Sequence, residues 1–304
     1  MGKYLLRRIL QMIPVVLGTT LLVYALVFAL PGDPVKAMFG DKPVNEAVAA
    51  QIRAEYHLDQ PFIVQYFIYL KNALTLNFGD TFAGQPVLDE ITRAFPVTIR
   101  LGLMAFVFEA IFGVVFGIIS GLKKGKWYDT VILIVSLLLI SVTGFVMQYV
   151  FGIQWAILPV TAGADPGFLD LLMPAMVLGS VSMAYIIRLT RSEISSNIAE
   201  DYVRTARAKG MSNGQVMLRH VLRNSLIPVV TYLGQDIGAL MGGAMITEQI
   251  FNIHGIGFLT YQSILKGEAN LVVSIVTLLM LIFVVCNLVV DMLYAALDPR
   301  IRYA

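Results

Sequence analysis

The residues best placed to do chemistry are four carboxylates in apolar surroundings: Glu109, Asp236, Glu248 and Asp291 fall in or at the edge of hydrophobic runs. A charge there is costly and faces a bundle interior or a watery cavity. Asp236, with Thr231, Gln235 and Gly238 near it, is a candidate to meet an amino terminus in a path through the protein. Gln235 and Glu109 are candidates for the same path. A structural hydrogen bond or ion pair between helices is the alternative for both carboxylates. Arg100 is nine residues from Glu109, too far for a direct pair along one helix. Asp291 reads as a pairing or capping residue near a membrane edge.

Bond-making chemistry finds little else. His57, His220 and His254 are scattered and support neither a zinc cluster nor a histidine-based triad. The single cysteine, Cys286, lies in an apolar run, so neither a disulfide framework nor a thiolate metal site is expected. No HExxH, GxSxG or paired catalytic aspartates stand in the apolar runs. Gly121-Leu122-Lys123-Lys124-Gly125-Lys126-Trp127 has the wrong spacing for a phosphate-binding loop and lacks its hydroxyl. Any ATP used must be bound by a partner.

The elements that carry these residues are membrane helices. The chain of 304 residues is 58% hydrophobic and 14% charged, where a soluble domain has roughly a quarter charged residues. Charge is missing from runs long enough to cross a bilayer, which takes about 20 apolar residues each. Six spans are predicted at 9–30, 97–122, 129–152, 170–190, 226–248 and 271–295. Gly144, Gln148 and Gly152 interrupt the third; Pro174 and Gly179 lie in the fourth. The first is too long for a signal-peptide core and has no small-x-small cleavage site before Pro31, so it reads as uncleaved.

Basic residues orient the spans. With the N-terminus in the cytoplasm, fifteen face inward: Lys3, Arg7, Arg8; Lys123, Lys124, Lys126; seven between Arg188 and Arg223; Arg300 and Arg302. Six face outward. That asymmetry predicts cytoplasmic N- and C-termini. The chain then divides into an N-terminal segment with the first span (1–30), an extracytoplasmic loop (31–96) and a five-span core (97–304) with a cytoplasmic loop at 191–225. The outer loop has helical periodicity around Val48, Ile52 and Tyr56, and an aromatic stretch from Phe62 to Leu70 suited to the membrane interface.

The 191–225 loop is the most informative segment. Tyr202 to Lys209 is a short run of helix formers, Gly210 can take positive φ, and Ser212 or Asn213 can cap a second helix. Pro228 is placed at the opening of the fifth span. Thr205, Ala206 and Ala208 let another protein's surface approach the backbone, and Arg204, Arg207 and Lys209 offer charge.

This segment resembles the cytoplasmic "EAA" loop of binding-protein-dependent ABC importer permeases, the family's coupling helix. Ala206 matches its second alanine, Gly210 its glycine and Pro228 its proline. Arg204-Thr205 replaces the usual Glu-Ala, and the glycine-to-proline spacing is longer. The run from Tyr202 to Gly210 is similar to the peptide/nickel branch. Leu6-Arg7-Arg8 with Ile13-Pro14, Pro31-Gly32-Asp33-Pro34, Asn77-Phe78-Gly79-Asp80, Glu248 to Phe251 with His254-Gly255-Ile256-Gly257, and Asp298 to Tyr303 resemble the B-type permease of oligopeptide and dipeptide importers.

The resemblance implies an all-α polytopic protein of the type I ABC importer permease fold, in the cytoplasmic membrane of a prokaryote. It implies a second homologous permease, two cytoplasmic ATPases that use ATP and magnesium, and an extracytoplasmic peptide-binding protein as partners, with the lipid bilayer around the spans. No cofactor is expected on this chain, nor nucleic acid among its partners. Arg204, Thr205, Ala206, Arg207 and Gly210 become the coupling residues. A nickel-chelate importer is the alternative within the family. An ion-driven secondary transporter would show internal repeats with paired broken helices, and the two halves show no such repeat.

Overall fold

The computed structural model describes residues 2–28, 46, 50, 53–54, 59–81, 83–142, 144–163 and 165–297, with no account of the side chains of 2–6, 243, 290, 291 and 293–297. The Pro31–Pro34 turn, the Val48–Tyr56 periodicity, His57, the Asp298–Tyr303 ending and the Asp291 side chain lie outside that description. The described residues are almost wholly helical; isolated bridges join Asp80 to Pro86 and Gly163 to Ile253.

In order, the helices are α1 (Gly2–Phe28), α2 (Phe62–Leu74), α3 (Val87–Leu122), α4 (Trp127–Ser141), α5 (Gly144–Met147) continuing as a π-helical stretch at Gln148–Gln154, and α6 (Phe168–Ile198). Then come α7 (Asp201–Ala208), α8 (Asn213–Val216) continuing as π-helix at Met217–Leu222, α9 (Arg223–Ile250), α10 (Ile256–Leu265) and α11 (Ala269–Leu297). Among the described residues, four stretches are long and apolar enough to cross a membrane: Arg7–Phe28, Val87–Leu122, Phe168–Ile198 and Ala269–Val289. Two bent pairs qualify as well, Trp127–Ser141 with Gly144–Gln154 at 99°, and Asn213–Gly242 with Ala244–Ile250 at 47°.

Two units divide the chain, residues 1–98 with 254–304, and residues 99–253. In the first, α2 has 13 residues, about 20 Å of helix and too short for a hydrocarbon core of about 30 Å. Aromatic hydroxyls fasten it: Tyr66 lies 2.8 Å from Thr20 Oγ1 on α1, and Tyr69 donates to Thr277 Oγ1 on α11 at 2.6 Å. Behind these bonds Ala73, Phe78, Val87, Ile91, Ile256, Leu271 and Ile275 form a buried core. Asn270 donates to the Phe78 carbonyl at 2.7 Å, and Thr98 accepts the Ile256 amide at 2.8 Å.

The second unit is built on close backbone approach. Cβ atoms placed on Gly113, Gly117 and Gly121 of α3 would lie 2.7, 2.5 and 2.9 Å from side-chain carbons of Ile186, Thr190 and Ile194 on α6. A Cβ on Gly179 of α6 would come 2.7 Å from the Ala105 carbonyl. Glycine at every fourth position of one helix face lets a membrane helix seat against its neighbour without side chains between them. Partner numbers rise together along this seam, so α3 and α6 run in the same direction. Parallel neighbours need an odd number of crossings between them, which makes the bent α4–α5 pair a single span.

Three expectations need adjustment. The helix of the second span begins at Val87, because Pro86 precedes it and Asp89 and Glu90 sit where the helix dipole favours acidic groups. The third span is broken: Gly144 packs where a Cβ would lie 3.2 Å from Ile250 Cδ1, and the Gln148 amide donates to the Val160 and Ile250 carbonyls at 2.7 and 3.3 Å. Pro228 lies inside α9 instead of opening it. Ser212 starts helical structure far upstream, and the π-helical residues Met217–Leu222 lead into α9 ahead of the proline.

Candidate coupling site and buried carboxylates

α6 has 31 residues, about 46 Å of helix, and so outruns a hydrocarbon core of about 30 Å. Its polar end leads directly into α7. Asp201 in the first turn and Arg207 in the last both complement the α7 dipole. Val203 and Ala206 turn inward onto Ile194, Val216 and Val221, with Tyr202 and Met217 alongside. The Tyr202 hydroxyl donates to Asn197 Oδ1 at 2.6 Å, holding the helix against the end of α6.

The helix stops at a glycine turn. Gly210 has φ +80°, and nothing lies within 4 Å of where its Cβ would be; the demand is for a left-handed backbone, not for space. The Gly210 amide donates to the Arg207 carbonyl at 3.0 Å and the Met211 amide to the Ala206 carbonyl at 3.3 Å. Ser212 Oγ accepts the Gln215 amide while Gln215 Oε1 accepts the Ser212 amide, both at 3.3 Å, a reciprocal cap for α8.

Of the five expected coupling residues, Arg204, Thr205, Arg207 and Gly210 are exposed, whereas Ala206 is 5% exposed and packs inside the knob. Arg204 pairs with Asp201 at 3.6 Å across one turn. The outer face thus presents two guanidinium groups, a hydroxyl and the small Ala208. Such a face can meet an acidic or carbonyl-lined groove.

The carboxylates form a different site. Glu109 lies in the row of α3 that holds the seam glycines and is fully buried. Its carboxyl group lies close to that of Asp236 on α9. Both Glu109 oxygens and Asp236 Oδ2 are buried without a donor among the described residues. Two such groups need a proton or a cation to share. Tyr232 lies near the pair, and its ring centroid is 4.4 Å from that of Tyr185. Gln235, the third candidate, is exposed. Glu109 and Asp236 are thereby brought together, a convergence that residue-by-residue reading missed. Arg100 pairs at 3.6 Å with Asp165.

Helices long and apolar enough to cross a membrane, with a glycine-stopped knob at the end of α6, define a multi-span membrane protein. Residues 113–303 match the binding-protein-dependent transport system inner membrane component, and residues 1–102 match the N-terminal membrane component of such systems. The chain belongs to this family: it is a non-catalytic permease subunit of an ABC importer, integral to the inner membrane. The glutathione transport system permease protein GsiC of Salmonella choleraesuis (strain SC-B67) is 36% identical over 308 residues, 100% of each chain. The protein of the same name from Escherichia coli (strain K12) matches to the same extent. Among solved structures, an amino acid ABC transporter crystallised with histidines shares the fold, with a TM-score of 0.52 and 14% identity over 68% of this chain and 94% of that one. A permease of this family works with ATPase subunits, a binding protein and a second permease, and the ATPases use the ATP.

Proposed function

We propose that the chain forms half of a pathway that imports short peptides, from glutathione and dipeptides to oligopeptides. The observation that carries this reading is end-to-end similarity at 36% identity to permeases named for glutathione transport. The second half is a homologous permease, and an extracytoplasmic peptide-binding protein delivers the solute. Both termini lie in the cytoplasm, following the basic residues.

Two cytoplasmic ATPases grip the knob through Arg204, Thr205 and Arg207, while Ala206 and Gly210 keep its shape. ATP binding closes the ATPases and moves the knob. α6 and α9, which lead into and out of it, tilt and switch the pathway between inward and outward openings. Directed transport requires the solute to bind the two states with different affinity. Gln235 lies on the exposed face of α9 and lines the path. Asp236 and Glu109 stand behind it as the acidic pair that meets a peptide amino terminus when the helices part.

Proteoliposomes holding the full transporter test the substrate class. ATP-dependent uptake of labelled glutathione or a dipeptide is expected. Uptake of nickel alone, or peptide uptake that survives ATP depletion and collapses with an uncoupler, overturns the proposal.

A further inference from the structure

The corner where α3 meets α4 holds an ionic joint that the coupling reading leaves unused. Asp129, in the first turn of α4, is 3% exposed. Its carboxylate accepts Arg191 Nε at 2.6 Å and Nη2 at 2.7 Å, Ser120 Oγ at 2.5 Å and the Gly125 amide at 2.9 Å. Four donors satisfy a carboxylate, and a guanidinium fork fixes direction as well as distance. This is unlike a loose surface pair, which contributes little.

Four pieces of chain converge here: the last turn of α3 through Ser120, the α3–α4 turn through Gly125, the start of α4 and the C-terminal part of α6 through Arg191. Arg191 directly follows Thr190, which seats Gly117, and stands one turn before Ile194, which seats Gly121. Ile194 is also the α6 member of the knob core, with Val203, Ala206, Val216 and Val221, and Ile118 of α3 packs on that core. Between the joint and the knob there is thus one turn of helix and continuous packing. A rigid connection of this kind carries displacement, because packed interfaces shift between discrete arrangements instead of deforming gradually.

We infer that the Asp129–Arg191 joint passes knob movement sideways into α3 and α4, so that the second and third crossings move with the knob instead of α6 and α9 alone. This rests on the proposed role of α7 as the ATPase contact. Asp129 and Arg191 act as positioning residues; neither meets solute or nucleotide.

The test is the number of solute molecules imported per ATP hydrolysed by the complete transporter in liposomes, with labelled glutathione or a dipeptide as probe. With Asp129→Asn the ATPases should still copurify in parental proportion while the ratio falls about tenfold. Arg191→Lys keeps the charge without the fork and should fall between the two. The swap Asp129→Arg with Arg191→Asp should regain part of the ratio. A parental ratio in assembled Asp129→Asn transporter overturns the inference, as does a swap no better than either single change. If Asp129→Asn does not assemble, Ser120→Ala decides, since it removes one donor and leaves the pair; a loss of about twofold is expected, and an unchanged ratio is fatal to the idea. Failure of the docking reading looks different: ATPases would stay attached after residues 202–210 are scrambled.

Discussion

The two units hold their helices together by opposite means. Residues 1–98 with 254–304 use large side chains that reach: Tyr24, Tyr66 and Tyr69 fill the space among α1, α2 and α11, and two of them end in hydroxyl contacts at 2.8 and 2.6 Å. Residues 99–253 use the absence of side chains, with a row of glycines under Ile186, Thr190 and Ile194, and lock the end of that row with a charge pair whose carboxylate is buried. The first arrangement loses strength by increments when an atom is removed. The second fails when an atom is added.

Adding atoms to the glycine seam should therefore break the protein most severely. Gly117→Leu is expected to abolish membrane-inserted, folded protein, because even a Cβ would lie 2.5 Å from Thr190. Gly117→Ala should cost about 1–3 kcal/mol as overpacking, read as a lower unfolding temperature in detergent. Removing the opposing Cβ, in Gly117→Ala with Thr190→Gly, should recover part of that loss; no recovery would locate the damage elsewhere.

Asp129→Ala comes close behind. It leaves the Arg191 guanidinium, itself 26% exposed, without its carboxylate, and the cost should fall below the roughly 3–5 kcal/mol of breaking a fully buried pair. High salt should change the parental stability only modestly, since the Asp129 carboxylate is almost wholly covered. Stability that drops steeply with salt would place the pair in water.

Gly210 separates shape from space. Gly210→Val should uncouple ATP hydrolysis from uptake, because a β-branched residue strains the left-handed backbone by about 1–2 kcal/mol. Gly210→Asn should retain most coupling, as asparagine tolerates that region and nothing crowds the position. Equal activity of the two variants would remove the conformational explanation.

Removing an atom from the aromatic unit should be mild. Burial pushes the Tyr69 phenol up to about 12, so it remains a donor to Thr277 at neutral pH. Tyr69→Phe is expected to cost about 1 kcal/mol, seen as a small fall in unfolding temperature. Smallest of all is Glu268, at the start of α11. Burial raises its carboxyl above the ordinary range, with Lys266 opposing and Glu90 adding to the shift. The folded state then binds the proton more tightly than the unfolded state. Its stabilising contribution is complete below the ordinary glutamate range and is lost as pH rises through the raised value. Glu268→Gln should flatten that dependence in thermal unfolding curves; a steeper one would reverse the sign.

Much of this fold was legible because hydrophobic runs are local. The six apolar stretches, the short helix ended by Gly210 and the cap at Ser212 all depend on neighbours within a turn or two. The third span's break was signalled by Gly144 and Gln148, but its shape depends on Ile250 and Val160, far away in sequence. Glu109 and Asp236 stood out singly as expensive charges, and only helix packing decides that they meet. Arg191 looked like one more basic residue of the 191–225 loop. Nothing near it in sequence announces Asp129. The spacing of Gly113, Gly117 and Gly121 was a readable sign of a close helix contact, although it does not say which helix is the partner.

The seam has the pitch of a rack. Its hollows recur every four residues on α3, and its teeth, Ile186, Thr190 and Ile194, recur every four on α6. Sliding by a fraction of a turn drives teeth into backbone, whereas sliding by one whole turn, about 5.4 Å, meshes hollows with teeth again. In the direction that shifts α6 back along α3, the next position for Ile186 is Glu109. A carboxyl side chain in place of a hollow closes that end of the track, and the Asp129–Arg191 pair fastens the other, so the seam holds a single register.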